Sequence, residues 1–400
     1  MLAHFEGYTD VVGDHPLNLA STQLATNAYM LTHEQKYKEW VLGYCDAWAQ
    51  RAKDNGGIIP SNIGLDGKIG GATDGKWYGG AYGWGFSPIV PMTGKPQDRN
   101  RVPWCVGGFF NAYLLSKGDD KYLDVWRKTA DKFDAAAKTV DGKLSTPTMF
   151  GDQGFYSFKP GKYRLNFLEI YFLSMKPSDR ARCEDTPWYD FLEGKNPGYP
   201  VKALHEGLAR IRQHMEIVDA DSTSPDMRLA DSALDYNPAS ITALTQLMEG
   251  GLYIGHPGWA RTTPSQGGTL FYSRLRYFDP ERRRAGMPRD VAALVDSWGP
   301  DSLTLTLVNV SPSVARTVIV QGGAYGEHQI VSVSEGKTVT PVDAANFTVR
   351  LAPGAGAKLT LKMKRFANDP TLSFPWESSV SDLGNPPDIA KYVHKSSGVP

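Results

Sequence analysis

Residues 27–32 read NAYMLT, and residues 111–116 repeat them almost unchanged as NAYLLS. Each copy continues, after a short polar break, with a second segment in which Lys-Tyr precedes a Trp, at 36–40 and at 121–126. The apolar side chains of these segments recur every three or four residues, which is the spacing of one helix face. The sequence therefore predicts two helical hairpins, of which the first covers about 17–54.

A fainter third copy begins at 171–174 and continues at 188–191. Helical hairpins that cannot bury their apolar faces alone stack on neighbours, as an open solenoid or a closed ring. Gly-rich or Pro-rich stretches at 55–102, 140–163 and 219–238 separate the hairpins and exceed ordinary connections in length. Because each precedes a helix that starts a new hairpin, we expect them to gather on one face of a ring.

From about residue 300 the apolar spacing changes from helical to alternating. Apolar residues alternate with polar ones along 303–307, 347–351 and 359–363, which predicts half-buried antiparallel strands. A Pro-Gly turn at 353–354 predicts that the last two strands form a hairpin. The region 265–366 is therefore expected to be a β-sandwich.

The length of 400 residues exceeds what one hydrophobic core fills and implies at least two domains. We predict a multidomain α+β protein: a helical-hairpin domain over 1–264, a β-sandwich over 265–366 and an extended C-terminal tail over 367–400. Within the tail, Phe374-Pro375-Trp376 is apolar enough to dock.

The composition restricts the partners and the location of the chain. Forty-three basic and 43 acidic residues give a formal net charge of zero, which gives no support for binding to nucleic acid or to an anionic membrane. No apolar run is long enough to span a membrane, and the first residues do not look like a secretory signal. A truncated N-terminus would leave the cytoplasm and the periplasm both open, and the sequence does not set the oligomeric state.

Tandem helical hairpins, long aromatic loops and a β-sandwich after the helices together resemble the six-hairpin (α/α) toroids of glycoside hydrolases and polysaccharide lyases. The resemblance covers roughly residues 8–366 and is architectural, and only about four hairpins are visible. It implies a carbohydrate-active enzyme with a saccharide substrate bound at the rim of the helical domain.

The 55–102 stretch combines aromatic and polar residues with about a dozen glycines. Aromatic faces bind sugar rings, and glycine lets the backbone approach a ligand closely. The alternative is that the Trp rings only fill the end of the helical ring. The candidate substrate-binding residues of this loop are Asn62, Asp66, Trp77, Tyr78, Tyr82 and Trp84.

The candidate catalytic residues lie where helices begin. Asp14 and His15 precede Pro16, where Asp14 could also act only as a helix cap. Asp152, Tyr156 and Arg164 lie in the stretch before the third hairpin, together with Tyr163 and Asn166 as substrate contacts. Asp235 and Tyr236 repeat the pattern before a fourth helix.

Two chemistries fit these residues. Hydrolysis of a glycosidic bond needs two carboxyl groups, which Asp14 with Asp152 or Asp66 could supply. Elimination from a uronate needs a Tyr or His base and a positive or amide group that neutralises the substrate carboxylate. His15 or Tyr156 could supply the base, and Arg164 and Asn166 could supply the neutralising group. Sugar epimerisation and a noncatalytic glycan-binding role remain open.

Glu169 follows one helical turn later, in an apolar run. An ionised carboxylate is costly there unless it is paired, so Glu169 is a candidate acid with a raised pKa, or the ion-pair partner of Arg164.

Cofactor motifs are not apparent. His205 and His214 are nine residues apart rather than the four of a helical zinc motif, and the glycines at 354 and 356 lack P-loop spacing. Cys45, Cys105 and Cys183 are expected to be buried free thiols. We therefore expect neither a metal nor a cofactor.

Overall fold

The computed structural model of the chain describes residues 13–183, 186–224, 242–253 and 270–377. The chain divides into two compact units, one comprising Met1–Glu184 with Gly267–Leu270, the other Asp185–Gln266 with Phe271–Pro400. The division thus falls near residue 184 rather than at the expected 264. The architecture is mixed helix and antiparallel sheet, as the α+β prediction requires.

Helical hairpins form the first unit, and the two predicted from the repeated phrases are confirmed. In the first hairpin the longer helix buries Val41, Cys45 and Trp48 at helical spacing. The helices are α1 (Thr22–Thr32), α2 (Gln35–Asp54), α3 (Val106–Leu115), α4 (Lys121–Ala135), α5 (Phe167–Ser174) and α6 (Pro177–Arg180), and short 3-10 helices at Pro16–Ser21 and Val102–Cys105 precede α1 and α3.

Close packing of α3 joins the two hairpins. A Cβ at Gly108 would lie only 2.7 Å from Leu19, so glycine lets α3 approach the first 3-10 helix. The Cys45 thiol of α2 donates to the Gly108 carbonyl at 3.3 Å. Asn111 of the second repeated phrase donates to the Thr22 hydroxyl at 2.8 Å, and both are buried. All three cysteines are free and buried, as predicted.

Ion pairs fix α6 against α4. Arg127 donates to both oxygens of buried Asp179, at 2.9 and 2.6 Å, and also pairs with Asp120 and Asp124. A paired, bidentate guanidinium is the arrangement in which a buried carboxylate is tolerated.

The stretch 140–163 is largely regular rather than an irregular loop. It forms the hairpin β4 (Lys143–Gly151) and β5 (Gly154–Pro160), and β3 (Lys138–Val140) pairs with β4. Gly154, the first residue of β5 after the two-residue turn at 152–153, has a φ of +85°, a conformation that favours glycine. The preceding long loop contains only the short strands β1 (Ile89–Val90) and β2 (Lys95–Pro96).

The second unit combines helices with antiparallel sheets. Its strands are β6 (Leu252–Tyr253), β7 (Phe271–Tyr272), β8 (Leu275–Asp279), β9 (Arg284–Ala285), β10 (Val291–Trp298), β11 (Ser302–Asn309), β12 (Arg316–Gly322), β13 (Gln329–Glu335), β14 (Thr338–Ala344), β15 (Asn346–Leu351) and β16 (Gly356–Lys364). The main sheets have the strand orders β10-β11-β16-β13-β14 and β15-β12-β8-β9, and β6 pairs with β7. The helices are α7 (Pro187–Leu192), α8 (Tyr199–Ala220) and α9 (Thr242–Glu249).

The three alternating segments form strands, as predicted, but the predicted hairpin between the last two is wrong. β15 pairs with β12, whereas β16 pairs with β11 and β13. The turn at 353–354 therefore carries the chain from one sheet to the other. Alternation identifies a half-buried strand but does not identify its partner.

Helices α7 and α9 belong to the second unit because they pack on its strands. The rings of Trp188 and Tyr189 lie 5.6 and 5.1 Å from that of Trp298 in β10.

The predicted docking of Phe374 and Trp376 is confirmed, since both rings contact Phe278 at about 6 Å.

Among the helices that the structure describes, none is long and apolar enough to cross a membrane.

Candidate functional site

The Gly-rich loop and the β4–β5 hairpin lie against each other and form one continuous surface, the loop–hairpin surface (residues 76–101 with 143–160). Asp152 in the hairpin turn accepts hydrogen bonds from the Lys76 ammonium at 2.8 Å and the Tyr78 hydroxyl at 3.1 Å. The Trp77 ring lies 4.5 Å from that of Phe150. Two of the three long connections thus meet, as predicted; the third lies mostly outside the described residues.

A second set of contacts joins the loop to the hairpin through hydroxyl groups. The Ser87 hydroxyl donates to Asp98 at 2.6 Å and lies 2.8 Å from the Tyr156 hydroxyl. The Ser157 hydroxyl donates to the other oxygen of Asp98. One loop carboxylate is therefore connected through a serine to a tyrosine of β5.

Glycine allows the loop to approach the hairpin closely. Gly85 has a φ of +91°, and a Cβ there would lie 2.9 Å from the Phe150 carbonyl oxygen. Any other residue would be strained and would push the loop off the hairpin.

Charge and burial set the proton affinities on this surface. Hydrogen bonds from Lys76 and Tyr78 lower the pKa of Asp152, whose side chain is 72% exposed. Burial raises the pKa of Tyr156. Asp152 is therefore ionised and Tyr156 protonated at neutral pH.

Aromatic rings extend this surface toward α3. Tyr82, which is 37% exposed, contacts the edge of Phe86 at 5.3 Å. The Arg101 guanidinium lies 3.7 Å from the Trp104 ring centroid and 5.9 Å from that of Tyr82. These rings are half-buried or exposed, in contrast to those of the core.

The prediction that Trp84 contacts ligand is wrong. Its side chain is fully buried, its indole N–H donates to the Ile59 carbonyl at 2.8 Å, and its ring packs 4.6 Å from Phe133. Tyr163, also predicted as a substrate contact, is likewise a core residue, 5.2 Å from the same Phe133 ring. The aromatic residues predicted to contact the substrate thus lie partly on the surface and partly in the core.

Two predicted amide contacts are buried and hold the backbone instead. Asn62 donates to the Thr73 hydroxyl at 2.8 Å, which fixes the base of the Gly-rich loop. Asn166 donates to the Pro103 carbonyl at 3.1 Å. Exposed Asp66 accepts the Lys68 amide at 3.1 Å within a turn of the loop.

Asp14 and His15 belong to a separate cluster. Asp14 accepts hydrogen bonds from Arg51 at 2.7 Å, Tyr44 at 2.8 Å and Asn18 at 3.1 Å. It has no partner in common with Asp152. Asp14 is therefore an ion-paired carboxylate that lies apart from the loop–hairpin surface.

His15 caps the first 3-10 helix. Its Nδ1 accepts the Leu17 amide at 3.0 Å, which places the proton of the neutral ring on Nε2. Burial lowers the pKa of His15 to about 4, although Asp14 opposes the shift. The ring is neutral at pH 7 and its lone pair is already used, which disfavours a role as base.

Glu169 has the raised proton affinity that the sequence indicated. It is 5% exposed, and burial raises its pKa to about 7, partly opposed by a backbone hydrogen bond. Arg164, the proposed partner, is exposed and forms no ion pair with Glu169 or with any other carboxylate in the described residues. Asp235 and Tyr236 lie outside the described residues.

Ser87 and Asp98 are not among the site residues predicted from the sequence. Both lie within the predicted loop, but an isolated Ser and Asp in a polar stretch carry no pattern of their own. Their significance comes from their contacts with β5, which lies 59 or more residues later in the chain. Among the described residues, no group of three or more His, Cys, Asp or Glu side chains is arranged to bind a metal ion.

Comparison with known proteins gives a family but no activity. A family described as a domain of unknown function, DUF8034, matches residues 9–155 and 175–245, more than half of the chain. The chain belongs to this family. The first matched segment includes the Gly-rich loop and Asp152, and it ends at residue 155, just before Tyr156. No curated protein and no solved structure matches the chain.

Proposed function

We propose that the protein binds a saccharide on the loop–hairpin surface and hydrolyses glycosidic bonds there. The observation that carries the proposal is the conjunction of half-buried aromatic rings, Trp77 and Tyr78, with the carboxylates of Asp152 and Asp98 on one surface. Flat apolar rings stack on sugar faces, and carboxyl groups perform acid–base chemistry at the bond. The helical hairpins and the antiparallel sheets are consistent with an (α/α) toroid followed by a β-sandwich.

In this proposal Asp98 replaces Asp14 as the second carboxyl group. Asp14 is held by Arg51, whereas Asp98 accepts only from serine hydroxyls in the contacts given by the structure. Asp98 also lies on the loop–hairpin surface beside the aromatic rings, whereas Asp14 lies in a separate cluster.

Elimination from a uronate is the second candidate, and the Tyr156–Ser87–Asp98 chain favours it. Ser87 gives its proton to Asp98 and so accepts that of Tyr156, which provides a route for a proton from the phenol to a carboxylate. The raised pKa of Tyr156 opposes a free tyrosinate and supports the hydrolytic proposal.

The test is incubation with a panel of neutral and uronic polysaccharides, with measurement of reducing ends and of absorbance from an unsaturated product. Hydrolysis gives reducing ends alone, and elimination gives both signals. Binding without either signal would contradict catalysis and leave a glycan-binding protein. Absence of binding to every glycan would overturn the proposal.

A further inference from the structure

A concave groove runs between α2 and α4, outside the loop–hairpin surface. It has a volume of about 780 Å3, and its charged and polar lining includes Asp46, Gln50, Lys53, Lys121, Lys128 and Lys132. We propose that this outer groove binds a soluble multivalent anion through its lysine ammonium groups. The proposal does not rest on the glycosidase activity proposed above.

The charges of the groove are unevenly neutralised. Lys121 pairs with Asp46 at 2.9 Å, and the Asp131 carboxylate on its rim is taken by Arg182. Lys53 is exposed and forms no ion pair with a carboxylate of the described residues.

The other two lysines of the groove are likewise exposed and without a carboxylate partner in the described ranges. Lys128 and Lys132 lie four residues apart on α4, where like charges repel each other. A bound anion would offset this repulsion.

Gly57 lines the groove and carries no side chain that would fill it. Gly57 has a φ of +99°, and a Cβ there would lie 3.5 Å from Lys132 Cε and 3.8 Å from Lys128 Cβ. A side chain at this position would occupy the space beside the aliphatic parts of both lysine side chains. The Gly57 amide donates to the Ala52 carbonyl at 2.8 Å, so recognition falls to the lysines rather than to the backbone.

The shape and lining select the class of ligand. Among the described residues, no aromatic ring lines the groove, so these residues offer no stacking platform of the kind on which single-stranded nucleic acids bind. Its apolar residues, Ala49, Ala52 and Val125, line a concave rather than a protruding surface, which does not suit insertion into a lipid surface. A compact molecule with two or three carboxylate, sulfate or phosphate groups fits the lysines on both helices.

The experiment is calorimetric titration of the full chain with inorganic tripolyphosphate and with trigalacturonate, and with maltotriose as the neutral control. At about 10 mM salt, where screening is weak, we expect one of the two anions to bind at one site per chain and maltotriose not to compete for it. Binding of tripolyphosphate alone would identify a phosphate ligand, and binding of trigalacturonate a carboxylate ligand.

The triple variant Lys53→Gln, Lys128→Gln, Lys132→Gln should bind the anion at least about tenfold more weakly, because its charge contacts are lost. The matched control changes three exposed lysines of the second unit, Lys337→Gln, Lys362→Gln and Lys364→Gln, by the same total charge. The control should bind like the wild type. Absence of binding of both anions, or equal weakening in the two triple variants, would overturn the proposal.

Discussion

The Tyr156 hydroxyl lies 2.8 Å from the Ser87 hydroxyl, across the contact between β5 and the Gly-rich loop. A serine has one proton to donate, and Ser87 donates it to Asp98, so Tyr156 is the donor in its bond to Ser87. This direction makes Tyr156 the residue that separates the two candidate chemistries.

Tyr156→Phe removes only the hydroxyl and should lower the free energy of unfolding by about 1 kcal/mol, the contribution of one hydrogen bond. If the carboxylates hydrolyse the glycosidic bond, turnover stays within about threefold of wild type, since no proton passes through the phenol. The measurement is the initial rate of appearance of reducing ends on the substrate that the panel identifies. A loss of about 100-fold or more, with the fold retained, would favour elimination with Tyr156 as the group that moves the proton.

Asp98→Asn and Asp152→Asn should each lower turnover by a factor on the order of 100, because positioned proton transfer contributes about that much. Asp66→Asn is the matched control, since Asp66 is an exposed carboxylate of the same loop that bonds only within its own turn. Asp14→Asn should leave turnover unchanged and reduce stability, because it removes the partner of Arg51. Full activity in both Asp98→Asn and Asp152→Asn would contradict the carboxylate assignment.

Trp77→Ala and Trp84→Ala should have opposite consequences. Trp77 is half-buried on the surface, so its loss should weaken saccharide binding, at little cost in stability. Trp84 is fully buried, and its loss should lower the free energy of unfolding by about 3–5 kcal/mol. Glycan affinity by titration and unfolding in urea distinguish the two. Unchanged affinity in Trp77→Ala would remove the aromatic platform from the proposal.

The sequence predicts the helical hairpins and strands well because each has its own period of apolar residues. It does not predict which strands pair, since β15 and β16 carry the same alternation but lie in different sheets. Nor does it predict that Trp77 lies on the surface and Trp84 in the core. The Gly-rich loop is irregular, so it has no helical or strand period from which the burial of a side chain could be predicted. Burial there depends on contacts with Phe150 in the hairpin and Phe133 in α4, far along the chain.

Glu169 makes stability depend on pH in a direction opposite to that of a salt-bridged carboxylate. Its pKa is raised from 4.5 to about 7 by burial, so the folded state holds the proton more tightly than the unfolded state. The stabilisation is complete below pH 4.5 and is lost as the pH rises through 7, because the buried carboxylate must then ionise. The shift corresponds to about 3 kcal/mol.

Glu169→Gln keeps the shape of the protonated side chain and cannot ionise. Relative to wild type, its free energy of unfolding should therefore rise by about 2–3 kcal/mol between pH 5 and pH 8, as measured by urea unfolding at both values. Glu249 and Glu327 also have raised pKa values near 7, but they are present in both proteins and cancel in the difference. The same substitution at an exposed position, Glu39→Gln, is the matched control. A difference between Glu169→Gln and wild type that stays constant from pH 5 to pH 8 would show that Glu169 ionises normally and would exclude it as a protonated acid at neutral pH.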